Sequence, residues 1–253
     1  MRRAVVIILA VLLSLAAVAS RAAGTALPDG QCPPAAGFPT TDERLDAVAA
    51  AIKAGGPVSI LAVGSATTVG QDGKANGISF PYHMVEALRA ALPNVAFDLT
   101  VKGSRGLAAK DMLTILDAAL SSHGFTLVLW QTGTVEAVHG VRPDSLHATL
   151  GIGVQHVRAR GGDTVLIDPP FSRALRASTD VEPYEQVMRQ VAGLPGVVLF
   201  PRYDLTRSWV EKAMLDVEKV PLAERPLAVD MLHECVGRAL ASFVLSGVHR
   251  AAP

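Results

Sequence analysis

Val58-Ser59-Ile60-Leu61-Ala62-Val63-Gly64-Ser65-Ala66-Thr67-Thr68 is an apolar run of strand length that ends in a glycine and a cluster of small polar residues. A strand apolar on both faces belongs to a sheet covered on both sides. Four more such runs follow, at residues 95–101, 127–130, 164–167 and 197–200, each short, β-branched or aromatic, and bounded by Gly, Pro, Asn or Asp. Between them lie stretches of helical period at 79–91, 108–122, 145–159, 184–192 and 205–213, with 226–245 closing the chain and 42–53 preceding the first strand. Strands separated by helices call for a parallel sheet. The expected fold is therefore α/β, a three-layer α/β/α sandwich around a five-stranded parallel sheet, flavodoxin-like in type. No internal repeat and no linker to a second domain is visible.

The chain has 253 residues, half of them hydrophobic and 18% charged, enough for one domain with a substantial core. Lys+Arg 23 balances Asp+Glu 23, so no net field argues for nucleic acid or for an acidic membrane surface. Arg2 and Arg3 precede an apolar stretch that ends in Ala17-Val18-Ala19, a pattern expected of a signal peptide with an A-x-A cleavage site. An uncleaved membrane anchor is the competing reading, since the stretch approaches the roughly 17–25 residues that span a bilayer. Either way the body of the protein is expected outside the cytoplasm, periplasmic or secreted. The division expected is a signal peptide over 1–23, a flexible arm over 24–40 and one domain over 41–250. The two cysteines, Cys32 and Cys235, fit an oxidising compartment in which they would close a bridge, the alternative being two unrelated buried thiols.

In parallel α/β sheets the ligand crevice lies outside the carboxyl ends of the strands. The segments just past each strand are therefore where chemistry is sought: 64–70, 102–106, 131–136, 168–172 and 202–204. Asp230-Met231-Leu232-His233, ahead of the final helix, holds a carboxylate and an imidazole at a spacing that a base and its orienter would use.

Four segments carry a resemblance. Gly64-Ser65-Ala66-Thr67-Thr68 is similar to G-D-S-x-T, Val101-Lys102-Gly103-Ser104-Arg105-Gly106 to N-x-G-x-x-G, Gly133-Thr134-Val135-Glu136 to G-x-N-D, and Asp230 to His233 to D-x-x-H. In that order and at those strand ends, the chain resembles the SGNH/GDSL hydrolases over residues 58–245. The resemblance implies a three-layer fold, hydrolysis of acyl esters, no cofactor and a site made of Ser65, Gly106, Asp230 and His233. Two positions depart from it. Ala66 stands where the family has its nucleophilic Ser, and Val135 where it has the Asn of the oxyanion hole. Losing one oxyanion donor costs on the order of 10²–10³ in rate, and losing the nucleophile removes the covalent route. Ser65 is adjacent and would serve only through a one-residue slip that gives up the matches at Gly64 and Thr68; Thr67 and Thr68 are weaker alternatives.

Other polar residues have plainer readings beside the functional ones. Glu136 and Asp168 would act as acid or base, or cap a helix and pair with an Arg. Arg105 would clamp an anion or be a solvated surface group. Trp130 reads as packing, and Trp209 as packing or a sugar platform. His83, His123, His139, His147, His156 and His249 are scattered without metal-ligand spacing, and Gly70-Gln71-Asp72-Gly73-Lys74 lacks the phosphate-loop register, so neither metal nor cofactor is expected. Two functions follow. One is an exported hydrolase of acyl esters, on a small acyl-ester or glycan substrate or a lipid of the cell envelope. The other is a catalytically silent member of the fold, a binding or scaffolding subunit with an envelope-protein partner.

Overall fold

The structure, a computed structural model, describes residues 32–70 and 78–251. The leader expected over 1–23 lies outside the described residues, as do the arm before Cys32 and most of the loop at 70–74.

Five strands, β1 (Val58–Gly64), β2 (Phe97–Gly103), β3 (Leu127–Gln131), β4 (Asp163–Ile167) and β5 (Val197–Phe200), form one parallel sheet in the order β2-β1-β3-β4-β5. Ten α-helices and a short 3-10 turn at Ala35–Gly37 complete the described residues: α1 (Asp46–Lys53), α2 (Ala66–Val69), α3 (Phe80–Ala91), α4 (Ala109–Ser122), α5 (Thr134–His139), α6 (Pro143–Ala159), α7 (Arg173–Ser178), α8 (Glu182–Ala192), α9 (Arg202–Glu211) and α10 (Arg225–Ala251). The three-layer α/β/α sandwich with a flavodoxin-like strand order is the expected fold. The order reverses between β1 and β3, which opens a crevice at their carboxyl ends.

The layers follow from the period-two alternation of strand side chains. Ile60 and Ala62 join Leu129, Ile167 and Phe200 beneath α1, α3, α9 and α10, represented by Val48, Met84, Trp209 and Phe243. Leu61 and Val63 point the other way, with Val128, Trp130 and Leu166, beneath α4, α6 and α8, represented by Leu116, Val154 and Met188. Each such aliphatic side chain contributes about 1.5–3 kcal/mol on burial. Trp130 and Trp209 are both core residues, which settles them as packing.

Boundaries differ from expectation where the signal is local. The helices α2, α5 and α7 were not expected, because four to six residues are too few to show a 3.6 period. The strand expected at 95–101 runs from Phe97 to Gly103, since Val95 N–H closes a turn onto Leu92 O and Phe97 is the partner of Val58. Two corrections move site residues. The helix expected from 205 begins at Arg202, and Asp230 and His233 lie inside α10, in keeping with the helical period over 226–245 and not ahead of the final helix.

Two close approaches fix the layers near the site. Gly64 pairs with Gly103 at the ends of β1 and β2; a Cβ on Gly103, whose φ is +137°, would sit 1.9 Å from the Gly64 carbonyl oxygen. In α10, a Cβ on Gly237 would lie 2.7 Å from Phe80 O and 2.8 Å from Met84 N, so only glycine lets α10 ride on the start of α3. His233, one turn earlier, is thereby set over Phe80.

Cys32 and Cys235 are joined by a disulfide with Cα atoms 5.2 Å apart, so they are not two separate thiols. The bridge spans 203 residues of chain and clamps the arm to α10 two residues beyond His233. On the chain-entropy argument a loop of that length stabilises by up to about 5 kcal/mol. Cys235→Ser, or reduction of the native protein, should therefore lower the melting temperature sharply, as measured by calorimetry with and without reductant. Two free thiols titrating in the unreduced protein, or an unchanged melting temperature, would contradict this.

Candidate active site

Ser65, Gly106 and Gly133 follow the carboxyl ends of β1, β2 and β3, and His233 reaches the same edge from α10. The geometry gives them unequal roles. A small cavity of about 60 Å³ is walled by Thr67, Phe80, Pro170, Arg202, Thr206, Leu232, His233 and Val236. Of Ser65, Gly106, Asp230 and His233 only His233 lines it, together with Thr67, one of the weaker alternatives. Ser65 is the N-cap of α2; its carbonyl receives Thr68 N–H and Val69 N–H, and its hydroxyl has no partner among the described residues. Gly106 lies in an exposed turn with φ +80° and no heavy atom near a Cβ position.

Asp230 does not pair with His233. It is exposed on α10, and its carboxylate has no hydrogen bond among the described residues. In its place the Phe80 backbone N–H donates to His233 Nδ1 at 3.2 Å. The ring lies nearly parallel to that of Phe80, with centroids 6.4 Å apart. Burial holds the His233 pKa down at about 4, helped by the charges of Arg202 and His83. At neutral pH the imidazole is uncharged. Because Nδ1 accepts, the proton sits on Nε2. His233 thus presents a donor to the cavity, whereas a general base needs a free lone pair there.

Across the cavity stands Arg202, the first residue of α9. It is only 3% exposed. Its Nε donates to Asp168 O at 3.0 Å, its Nη1 to Thr67 Oγ1 at 3.2 Å, and its guanidinium lies over the Phe80 ring at 5.9 Å. Nη2 is buried without a partner. Burial lowers the Arg202 pKa to about 10, which still leaves it charged. Asp168, whose Oδ1 accepts Tyr203 N–H at 2.8 Å, is raised by burial to about 7 and so is only a partial counter-charge. Thr67 also donates its proton to Gln131 Oε1 at 3.0 Å, as does Thr68. An amide oxygen is no base, so neither hydroxyl is activated.

The remaining candidates are structural. Glu136 is buried and accepts from Gly133 N–H and Thr132 Oγ1, closing a capping box on α5, and from Ala109 N–H at the start of α4. It joins two helix starts instead of serving as acid or base. Arg105 is exposed in its turn. Among the described residues no cluster of His, Cys, Asp and Glu converges as a metal would require. Sequence reasoning missed Phe80 as a wall residue, and it reached Arg202 only as part of the strand-end segment 202–204, without a role. The signal for Arg202 was a lone cation directly after a four-residue apolar strand and a proline, at a carboxyl end.

The buried groups make a joint pH prediction. Asp163, Asp168 and Glu185 are raised by burial to about 6, 7 and 7, while unfolded carboxyls protonate near 4. As pH falls from 8 to 5 the native state binds protons that the unfolded state does not, which stabilises it. His233 acts oppositely, because the unfolded imidazole protonates near 6.5 and the native one only near 4. Three groups outweigh one, so the melting temperature should be higher at pH 5 than at pH 8, by on the order of 5 °C. Calorimetry across this range checks it; a maximum near pH 8 would contradict the burial of these carboxyls.

Comparison with known proteins agrees with this architecture. The profile of the Non-GDSL lipase-like family matches residues 31–250. Among curated proteins no match is found. Among solved structures, the chain is similar to LAE5, an alpha/beta hydrolase from the metagenome of Lake Arreo, Spain, at 18% identity and a TM-score of 0.54, covering 72% of this chain and 96% of that one. A catalytic mutant of Axe2, an acetylxylan esterase from Geobacillus stearothermophilus, gives 18% identity and a TM-score of 0.54 over 70% and 93% of the two chains. A mutant of the esterase AlinE4 gives 18% and 0.52 over 68% and 89%. These likenesses are of fold. With the family profile covering nearly the whole described chain, the protein belongs to the Non-GDSL lipase-like family.

Proposed function

We propose that this protein is an exported, catalytically silent member of its family that binds an acyl-bearing ligand without hydrolysing it. The observation that carries the reading is the hydrogen bond from Phe80 N–H to His233 Nδ1, with Asp230 turned out to solvent. A serine hydrolase needs the reverse arrangement, Nδ1–H donating to a carboxylate so that Nε2 is free to take a proton. In a serine protease, holding the wrong tautomer costs about 10⁴ in rate. The resemblance places the nucleophile at Ala66 and an oxyanion donor at Val135, neither of which has a hydroxyl or amide to offer. Ser65 does not line the cavity that His233 lines, which weighs against a displaced nucleophile. The disulfide supports an oxidising compartment and hence export.

The test is hydrolysis of a short activated acyl ester by purified mature protein. Wild-type turnover should be near background, Ser65→Ala should leave it unchanged, and Ala66→Ser should gain less than about tenfold because His233 remains in the donor tautomer. Robust wild-type turnover abolished by Ser65→Ala would establish Ser65 as the nucleophile and end the silent reading. A gain of about 10³ or more from Ala66→Ser would show that His233 works as a base after all.

A further inference from the structure

Arg202 is buried and charged, yet no carboxylate of the described residues stands within ion-pair reach of it and Nη2 has no acceptor. Asp168 is its partial counter-charge, and a buried cation so weakly compensated is disfavoured unless something further accepts from it. The cavity against which it lies supplies none. Thr67 Oγ1 already takes Nη1, and Thr206 Oγ1 accepts Phe171 N–H while donating to Arg202 O. The other polar wall group is His233, whose Nε2 bears a proton and meets no partner among the described residues. Both groups are donors, one is a full positive charge, and the rest of the wall is Phe80, Pro170, Leu232 and Val236.

We propose that this cavity binds the carboxylate of a short aliphatic acid, with the Arg202 guanidinium and His233 Nε2–H donating to its oxygens and the apolar wall taking the alkyl carbons. The proposal rests on the reading of the site as a binding site. It identifies the ligand as a free acid, because an ester offers its carbonyl oxygen no negative charge with which to compensate Arg202. A volume of about 60 Å³ suits a small head group and few carbons. A carboxylate also matches the planar fork of a guanidinium better than a bulky, doubly charged phosphate would in so small an apolar space.

Isothermal titration calorimetry on the mature, disulfide-bonded protein tests this with four probes: butyrate, methyl butyrate, glucuronate and inorganic phosphate. Butyrate should bind saturably, with the other three at least about tenfold weaker. Arg202→Gln should weaken butyrate by about tenfold to a hundredfold, the loss expected for one charge-assisted hydrogen bond, and should leave methyl butyrate unaffected. Where Arg202→Gln does not fold, His233→Phe, which retains the stacked ring but removes the Nε2 donor, should weaken butyrate preferentially in the same way. Absence of saturable butyrate binding, equal binding of butyrate and its methyl ester, or preference for phosphate or glucuronate would each overturn the assignment. Its failure is separable from that of the silent reading: ester turnover sinks the latter whatever binds, and a silent protein indifferent to butyrate sinks only the former.

Discussion

Burying the guanidinium of Arg202 obliges its neighbours to supply what water no longer does. Nε is met by the carbonyl of Asp168 and Nη1 by the hydroxyl of Thr67, while the ring of Phe80 faces its cationic plane. These partners come from the ends of β4 and β1 and the start of α3. One side chain therefore ties three loops at the carboxyl edge into a fixed wall. Leaving Nη2 buried and unpaired costs about 1–3 kcal/mol, a cost that the packing around it must sustain in the free protein. The Thr67 hydroxyl is held by the same network, with its proton given to Gln131 and its lone pair to Arg202.

His233 is constrained from the other side. Gly237 lets α10 sit directly on the backbone of Phe80 and Met84, and the disulfide at Cys235 pins that same turn to the arm. With the helix so placed, the imidazole falls on the free N–H of Phe80 at the start of α3, one of the unsatisfied donors of a helix N-terminus. On the same helix Asp230 is exposed while His233 is buried against α3, and the start of α3, not that carboxylate, supplies the imidazole's partner.

The sheet was legible because its information is local and repeated: five apolar runs, each closed by breakers, leave few arrangements other than a covered parallel sheet. The helices of eleven residues or more were legible for the same reason. What escaped was set by tertiary placement. The spacing of Asp230 and His233 allows the two to meet in a loop or in a helix, and only the packing of α10 on α3, which gives Nδ1 to the Phe80 N–H, decides that they do not. The burial of Arg202 depends on α9 starting at residue 202, three residues before its apolar period becomes visible. Glu136 was open between catalysis and capping in the sequence, and only its three donors, two of them just ahead of α5 and one at the start of α4, decide for the cap.

On the proposed reading, the pattern of retained and altered positions has a physical basis. Gly64 and Gly103 cannot carry a side chain without collision, Thr68 is bonded to Gln131, and Gly133 has φ +94° with Pro169 3.1 Å from where its Cβ would lie. Each of these would hold the strand ends together whether or not an ester is ever cleaved. Ala66 and Val135, by contrast, occupy positions whose family residues contribute to reaction alone, and a methyl or an isopropyl group there disturbs no bond of the scaffold. Release from catalysis would therefore erase chemistry while leaving the motif outline intact, because most of that outline belongs to the fold. On the same reading Arg202 belongs with the binding role: a buried cation with an unpaired donor is a cost to stability that folding does not require, and a bound anion would offset it.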